Sequence, residues 1–188
     1  MNKRKNFGAQ TILYPMPVLI LGTYAEDGTP DAMNAAWGGI SEENEISICI
    51  SADHKTTENL LKTGAFTVSV ADKKNVKQAD FVGVVSGKKD PDKMKKTGWH
   101  AVKSEFVNAP LFEELPLALE CTLKSYDPQT CRLVGEIVNV CADESILASD
   151  GKINSALLCP IVFDPVRNTY NVIGEAVGKA FSDGLELK

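Results

Sequence analysis

The chain has 188 residues, 44% of them apolar, and a formal net charge of −5 at pH 7. This length and composition predict a single soluble globular domain spanning residues 1–188. The acidic balance argues against nucleic-acid and membrane-surface partners, since both require a basic face. The early apolar stretches are too short to span a bilayer, so we expect a cytoplasmic protein.

The five cysteines are widely spaced and include no Cys-x-x-Cys pair. They therefore indicate neither a zinc site nor a disulfide framework. We expect most of them to be small buried apolar side chains in a reducing compartment. Cys131 lies in a turn, and a reactive thiol stays open as an alternative there.

The first seventy residues are dominated by strand patterns. Residues 18–24 and 30–37 flank a turn at 26–28 and predict a hairpin. Residues 45–51 alternate between isoleucines and small polar residues, which is typical of a half-buried strand, and 66–70 repeat the alternation. Between these strands, residues 56–63 stop at Gly64 and predict a helix.

The second half adds short helices and longer strands. Residues 73–81, capped by Asp72, and a turn at 92–97 are helical in pattern, and the lysine-rich stretch 83–98 is typical of a long functional loop. Residues 117–126 and 131–141 predict a second hairpin, and 157–163 and 170–173 predict two late strands. The pattern favours a β-barrel with helical insertions, and the missing Gly-x-Gly-x-x-Gly motif argues against a Rossmann fold.

One candidate ligand segment is Asn34-Ala35-Ala36-Trp37. The two alanines permit a ligand to approach the backbone, and the indole of Trp37 suits stacking on a planar ring. Asn34 carries both a donor and an acceptor, which matches the mixed edge of a flavin pyrimidine ring. The alternative is a core tryptophan at a strand end, and the sequence leaves both interpretations open.

A second candidate segment lies where the helix at 56–63 begins. His54, Lys55, Thr56 and Thr57 offer positive charge, hydroxyls and free N–H groups, which together suit a phosphate. The alternative is an ordinary helix cap made by Asp53 or Thr56.

The third candidate segment is Ser86-Gly87-Lys88. It offers a hydroxyl, a backbone amide and a cation to the same phosphate or to a ribityl chain. Its alternative is a flexible surface loop. One ligand that combines a planar ring and a phosphate, such as a phosphorylated flavin, explains all three segments. The sequence shows no catalytic triad and no metal-ligand spacing, so a cofactor that brings its own chemistry is favoured.

Several segments occur in a characteristic order: 15–17, 27–28, 34–37, 54–57, 63–70, 80–88, 119–121 and 170–181. In that order and spacing the chain resembles the flavin reductase-like, FMN-binding split-barrel family, in its flavoredoxin-type branch. The resemblance implies a mainly β fold, a six-stranded antiparallel Greek-key split barrel with short helical insertions. It also implies a homodimer with FMN near the subunit interface.

The resemblance also implies a set of FMN-binding residues, with no catalytic side chain and no metal. They are Asn34, Ala35, Ala36, Trp37, Ser51, His54, Lys55, Thr56, Thr57, Asp80, Gly83, Ser86, Gly87, Lys88 and Phe163. The expected activity is hydride transfer from NADH or NADPH to flavin N5. The alternatives are an FMN electron carrier that serves a redox protein partner, and a non-enzymatic sensor or structural barrel.

Overall fold

The computed structural model describes residues 3–188 as a mainly β fold with four short helices. The helices are α1 (Lys55–Thr63), α2 (Val76–Val84), α3 (Lys93–Thr97) and α4 (Ser155–Leu158). The strands are β1 (Met16–Pro17), β2 (Leu19–Tyr24), β3 (Pro30–Ala35), β4 (Gly38–Glu42), β5 (Glu45–Cys49), β6 (Ala65–Val70), β7 (Ala101–Lys103), β8 (Pro110–Phe112), β9 (Leu117–Asp127), β10 (Arg132–Ala142), β11 (Ile161–Asp164) and β12 (Thr169–Val172).

The main sheet is antiparallel and runs in the order β3-β2-β6-β9-β10-β5-β4. Its two edge strands, β3 and β4, are consecutive in the chain and are joined only by Ala36 and Trp37. A flat sheet of this size would separate its edges by about 29 Å, whereas that link spans at most about 11 Å. The sheet must therefore curl until its edges meet, which is the geometry of a barrel with a seam.

The barrel interior is filled by the inward faces of these strands. Ile46, Ile48 and Ile50 are all buried, so the alternation of isoleucines indeed marks a core strand. They pack with Phe66 and Leu133 in one apolar cluster. This core fixes the strands whose ends carry the site described below.

A second apolar cluster lies on the outside of the barrel and holds α2 against it. Val18 and Ile20 of β2 pack there with Ala79 and Val82 of α2 and with Trp99. Asp72 caps the 3-10 turn Lys73–Asn75 that precedes α2, accepting from the Asn75 N–H at 2.9 Å. The packing places the end of α2 directly beside β3.

The expected mainly β split barrel is confirmed, but the strand count differs from the expected six. The chain leaves the sheet after Ala35 to cross the seam, so residues 30–37 are not one strand. Residues 38–42 then form β4, an edge strand whose glycines and exposed side chains gave no alternating signal. The main sheet therefore has seven strands.

Two other expectations need correction. Residues 157–163 are not one strand, because the first two belong to α4. The Asn154 side chain caps the start of this helix by accepting from the Ala156 N–H at 2.8 Å, and Cys159 ends the helix in the left-handed region at φ 48°. An apolar run of this length is compatible with either a helix or a strand. The stretch 83–98 is not all loop, since α2 extends into it and α3 follows.

The cysteines are mostly not core residues. Cys121 is buried, Cys131 and Cys141 are half-buried, and Cys49 and Cys159 are exposed. Cys49 and Cys141 lie in strands, which place alternate side chains on the outer face of the sheet, whereas Cys131 and Cys159 lie between elements at positive φ. In residues 3–188, every helix is too short or too polar to cross a membrane.

Candidate functional site

Three adjoining cavities form a groove along β3, the start of α1 and the end of α2. We call them the polar cavity (about 170 Å³), the aromatic cavity (about 260 Å³) and the outer cavity (about 390 Å³). Asn34 and Gly83 line both the polar and the aromatic cavity, and Ala36 lines both the aromatic and the outer cavity. Together the cavities lie in the size range of small-molecule sites, about 300–1,000 Å³.

The start of α1 lines the polar cavity with His54, Lys55 and Thr56. His54 precedes the helix in an extended conformation, and its side chain makes no capping hydrogen bond. The Glu58 N–H is bonded to the His54 carbonyl at 3.1 Å, whereas the N–H groups of the first turn before it have no intrahelical acceptor. These groups and the helix dipole favour an anion here.

Lys55 and Lys93 add two ammonium groups to the same cavity. Lys93 is only 3% exposed, and its Nζ donates to the Ala32 carbonyl at 2.6 Å and lies 3.7 Å from Asp31 Oδ1. Burial lowers the pKa of Lys93; Asp31 acts in the opposite direction, and Lys55 lowers this pKa further. A second positive charge is therefore held at the floor of the cavity at an energetic cost, which an anionic ligand would offset.

Asp31 organises this floor. Its Oδ2 accepts a hydrogen bond from Thr56 Oγ1 at 2.9 Å, and both side chains are buried. Gly87 closes over it: a Cβ at that position would lie 2.5 Å from Asp31 Oδ1 and 3.0 Å from Lys55 Cδ. The cavity thus contains two ammonium groups against one carboxylate, and a side chain at position 87 would have to displace Asp31 or Lys55.

The aromatic cavity is walled by Phe163 and Tyr170, whose ring centroids are 6.0 Å apart at an interplanar angle of 50°. Tyr170 OH donates to Asp80 Oδ1 at 2.8 Å. Burial, and then the bond to Asp80, raise the pKa of Tyr170 to about 12, so the phenol is protonated near neutral pH. Across the cavity, Asn34 Nδ2 donates to the Ala79 carbonyl at 3.0 Å.

The outer cavity lies between Trp37 and the N-terminal segment. The Trp37 side chain is 55% exposed, so the alternative of a core tryptophan is wrong. Ala36 and Gly38 flank it with little bulk, and Ile12 and Leu13 contribute to the opposite wall. The Trp37 indole is therefore an exposed apolar surface, and the residues on either side of it carry little or no side chain.

Most of the residues expected to bind a cofactor do line the groove. They are Asn34, Ala36, Trp37, His54, Lys55, Thr56, Asp80, Gly83, Ser86, Gly87 and Phe163. The alternative of an ordinary cap by Asp53 or Thr56 is wrong, because His54 is the capping position and Thr56 bonds Asp31.

The other four lie elsewhere. Ala35 is buried in the barrel core. Thr57 is fully buried and donates to the Ser51 carbonyl at 2.7 Å, so this pair fastens the turn before α1. Lys88 points into a neighbouring charged recess, where its Nζ lies 3.3 Å from Glu58 Oε2.

Sequence reasoning missed Asp31, Lys93 and Tyr170. Lys93 is one of several lysines in 88–96, and only the fold distinguishes the buried one. Tyr170 and Asp80 are 90 positions apart in the chain, and no local sequence pattern predicts a contact between them. Asp31 offered one local signal, since a charged residue inside an otherwise buried strand usually has a partner.

Known proteins are similar to this chain in sequence and in fold. The family model described as "Flavin reductase like domain" matches residues 11–158. Among curated proteins, an uncharacterized protein of Aeropyrum pernix is 30% identical over 117 residues, which are 61% of this chain and 44% of that protein. The match thus spans less than half of that relative's length.

Solved structures agree over nearly the whole chain. Flavoredoxin of Desulfovibrio vulgaris (Miyazaki F) is 36% identical with a TM-score of 0.92, covering 97% of this chain and 100% of that one. Flavoredoxin from Methanosarcina acetivorans is 25% identical with a TM-score of 0.89, covering 100% of both chains. Because the family model covers well over half of the residues, the chain belongs to the flavin reductase-like family and has its split-barrel fold.

Proposed function

We propose that this chain binds FMN in the groove and acts as an oxidoreductase that takes hydride from NADH or NADPH. The observation that carries the proposal is the groove itself, with two lysines and helix N–H groups at one end and aromatic walls at the other. A phosphate and a planar ring joined by a flexible chain match those two ends. When bound, FMN supplies the hydride-accepting N5 atom.

Different residues would hold the phosphate and the ring of the cofactor. Lys55, Lys93 and the first turn of α1 would hold the phosphate, with Ser86 and Gly87 closing over it. Trp37 and Phe163 would border the ring. Charge-assisted hydrogen bonds make the phosphate the stronger anchor.

The protein's role in the reaction would be orientation and exclusion of water. Tyr170 keeps its proton and directs it to Asp80 in a hydrogen bond, so it is not poised as a general base. Aligning a nicotinamide with a fixed ring converts a two-body encounter into a positioned one, and no side-chain acid or base is needed for that gain.

A second candidate function is an FMN electron carrier for a redox protein partner. The similarity to flavoredoxins, 36% identity and a TM-score of 0.92 in one case, favours it. In this role the chain would bind FMN equally well but react slowly with nicotinamides.

We further propose a cytoplasmic homodimer. Leu13 and Ile40 are exposed apolar side chains, one on the wall of the outer cavity and one on the edge strand β4, and a second copy of the chain would cover them. Size-exclusion chromatography with light scattering tests the dimer, and a monomer at micromolar concentration would contradict it.

The function is tested by loading the purified protein with FMN, removing free flavin and recording the visible spectrum. We expect stoichiometric bound FMN and rapid bleaching by NADH or NADPH under anaerobic conditions. Bound FMN without bleaching supports the carrier. Protein that remains colourless after loading contradicts both candidates.

A further inference from the structure

The charges of this chain are segregated along the sequence. Residues 73–96 contain eight lysines and three aspartates, a net charge of +5, whereas the rest of the chain contains twelve basic and twenty-two acidic residues, a net charge of −10. The overall charge of −5 conceals this difference. This acidic chain therefore carries one strongly basic segment, which includes α2 and α3.

The fold brings the lysines of this segment to one surface. α2 and α3 bury their apolar sides in the same cluster outside the barrel, where Ala79 and Val82 pack with Met94. The other sides of the two helices therefore face solvent next to each other. We call the exposed residues of 73–96 the basic face, and its lysines are Lys73, Lys74, Lys77, Lys88, Lys89, Lys95 and Lys96.

Most of these ammonium groups have no carboxylate partner. Lys96 pairs with Asp90 at 2.6 Å, and Lys88 pairs with Glu58 at 3.3 Å. Within the described residues 3–188, the other five lysines of the basic face form no ion pair: Lys73, Lys74, Lys77, Lys89 and Lys95. Uncompensated charges of one sign produce a surface potential that attracts a surface of the opposite sign.

The basic face borders the groove. Val84, at the end of α2, is 73% exposed and lines both the polar and the aromatic cavity. Lys89 comes two positions after Gly87, which closes over the polar cavity. Leu13, which we propose is covered by a second copy of the chain, lines the outer cavity at the opposite end of the groove. A protein on the basic face would therefore lie beside bound FMN without competing with the dimer.

The charge pattern favours an acidic protein over other occupants. A second copy of this chain would have to offer its acidic surface to the basic face, and contacts between two different surfaces form rings or open chains instead of a simple dimer. A nucleic acid would be repelled by the net charge of −10 on the rest of the chain. A separate protein with one acidic face matches the basic face locally.

We propose that the basic face docks an acidic electron-carrier protein, which is the acceptor for electrons from FMN bound in the groove. This rests on the proposed function, in which that FMN has been reduced. Two partner molecules each take one electron, and the protons of the reduced flavin pass to water. The lysines raise the rate of association more than the affinity, which suits a partner that must leave after each electron.

The test uses the soluble domain of cytochrome b5, an acidic one-electron acceptor, as the probe. FMN-loaded protein is reduced photochemically without oxygen and mixed with oxidised cytochrome b5 in a stopped-flow instrument. We expect haem reduction at low salt to be at least about 10-fold slower in Lys77→Glu/Lys95→Glu. The difference should nearly vanish at about 1 M salt, where charges are screened beyond about 3 Å.

Arg132→Glu/Lys152→Glu is the matched control, because it changes the net charge equally at exposed positions outside the basic face. It should slow haem reduction by less than about 2-fold. Reduction of cytochrome c, which is basic, should not be slowed by Lys77→Glu/Lys95→Glu. Equal slowing by both double variants, or no slowing by either, overturns the proposal.

Calorimetric titration of FMN-free protein with oxidised cytochrome b5 separates the surface from the cofactor. We expect salt-sensitive binding that Lys77→Glu/Lys95→Glu removes, and wild-type protein that does not bind at low salt overturns the proposal. Wild-type protein that binds cytochrome b5 but retains no FMN supports the docking surface and refutes the proposed function. Tighter binding of a duplex oligonucleotide, or self-association that the same double variant removes, assigns the basic face to another occupant and overturns the proposal.

Discussion

Lys93 offers the sharpest test of the phosphate end of the groove. Replacing it with methionine keeps the length of the side chain and removes the charge. A hydrogen bond to a charged group contributes about 1.5–3 kcal/mol when it is shielded from water. Because Lys93 is buried beside Lys55, we expect Lys93→Met to weaken FMN binding by about 10- to 150-fold.

Lys88→Met is the matched control. Lys88 is exposed and its ammonium is paired with Glu58, outside the polar cavity. Exposed charges of this kind contribute under about 1 kcal/mol, so we expect less than about a 5-fold change.

The assay compares FMN with riboflavin, which has the same ring and ribityl chain but no phosphate. General damage to the groove weakens both ligands, whereas loss of a phosphate contact weakens only FMN. We therefore expect the ratio of the two dissociation constants to change in Lys93→Met and to stay constant in Lys88→Met. An unchanged ratio in Lys93→Met, or a change confined to Lys88→Met, would refute the assignment of the phosphate to the polar cavity.

Three other predictions concern pH, loop packing and the core. Burial lowers the pKa of Lys93 below the ordinary lysine value of about 10.4, so FMN affinity should fall as pH rises through that lowered pKa, and Lys93→Arg should flatten this pH dependence. Between the lowered pKa and the ordinary value, the unfolded state binds more protons than the folded state, so the ligand-free protein should gain stability as pH rises. Gly87→Ala should weaken FMN binding at least about 10-fold, because its Cβ would displace Asp31 or Lys55, whereas Gly39→Ala, with open space around it, should not; equal affinities would contradict the packing. Phe66→Ala should lower the free energy of unfolding by about 3–5 kcal/mol in a denaturant titration, and the half-exposed Leu157→Ala by far less; similar losses would contradict the core assignment.

The sequence predicted the features that depend on local patterns. The alternation from Ile46 to Ile50 marked a core strand because one face of the sheet is buried. Gly64 marked the end of α1 because it adopts the left-handed region there, at φ 69°. The predicted segments 34–37 and 54–57 each contribute residues to the groove, at opposite ends of it.

Features that depend on distant contacts were not predicted. Lys93 differs from its neighbouring lysines only because α3 turns it toward Ala32, 61 positions away. Thr57 was grouped with the ligand-binding hydroxyls, but the helix turns it inward, toward Ser51. β4 carries no alternating pattern, and its place in the sheet follows from the seam.

That seam also restricts how the chain can vary in length. Ala36 and Trp37 are the entire connection between opposite edges of the sheet, and β4 pairs with β5 in a defined register, Gly38 opposite Ile48. Inserting or deleting one residue there would either pull the edges apart or slip β4 by one position, which reverses the face of every side chain. The number of residues between β3 and β4 is thus strictly determined, and the segment that borders the groove inherits this constraint.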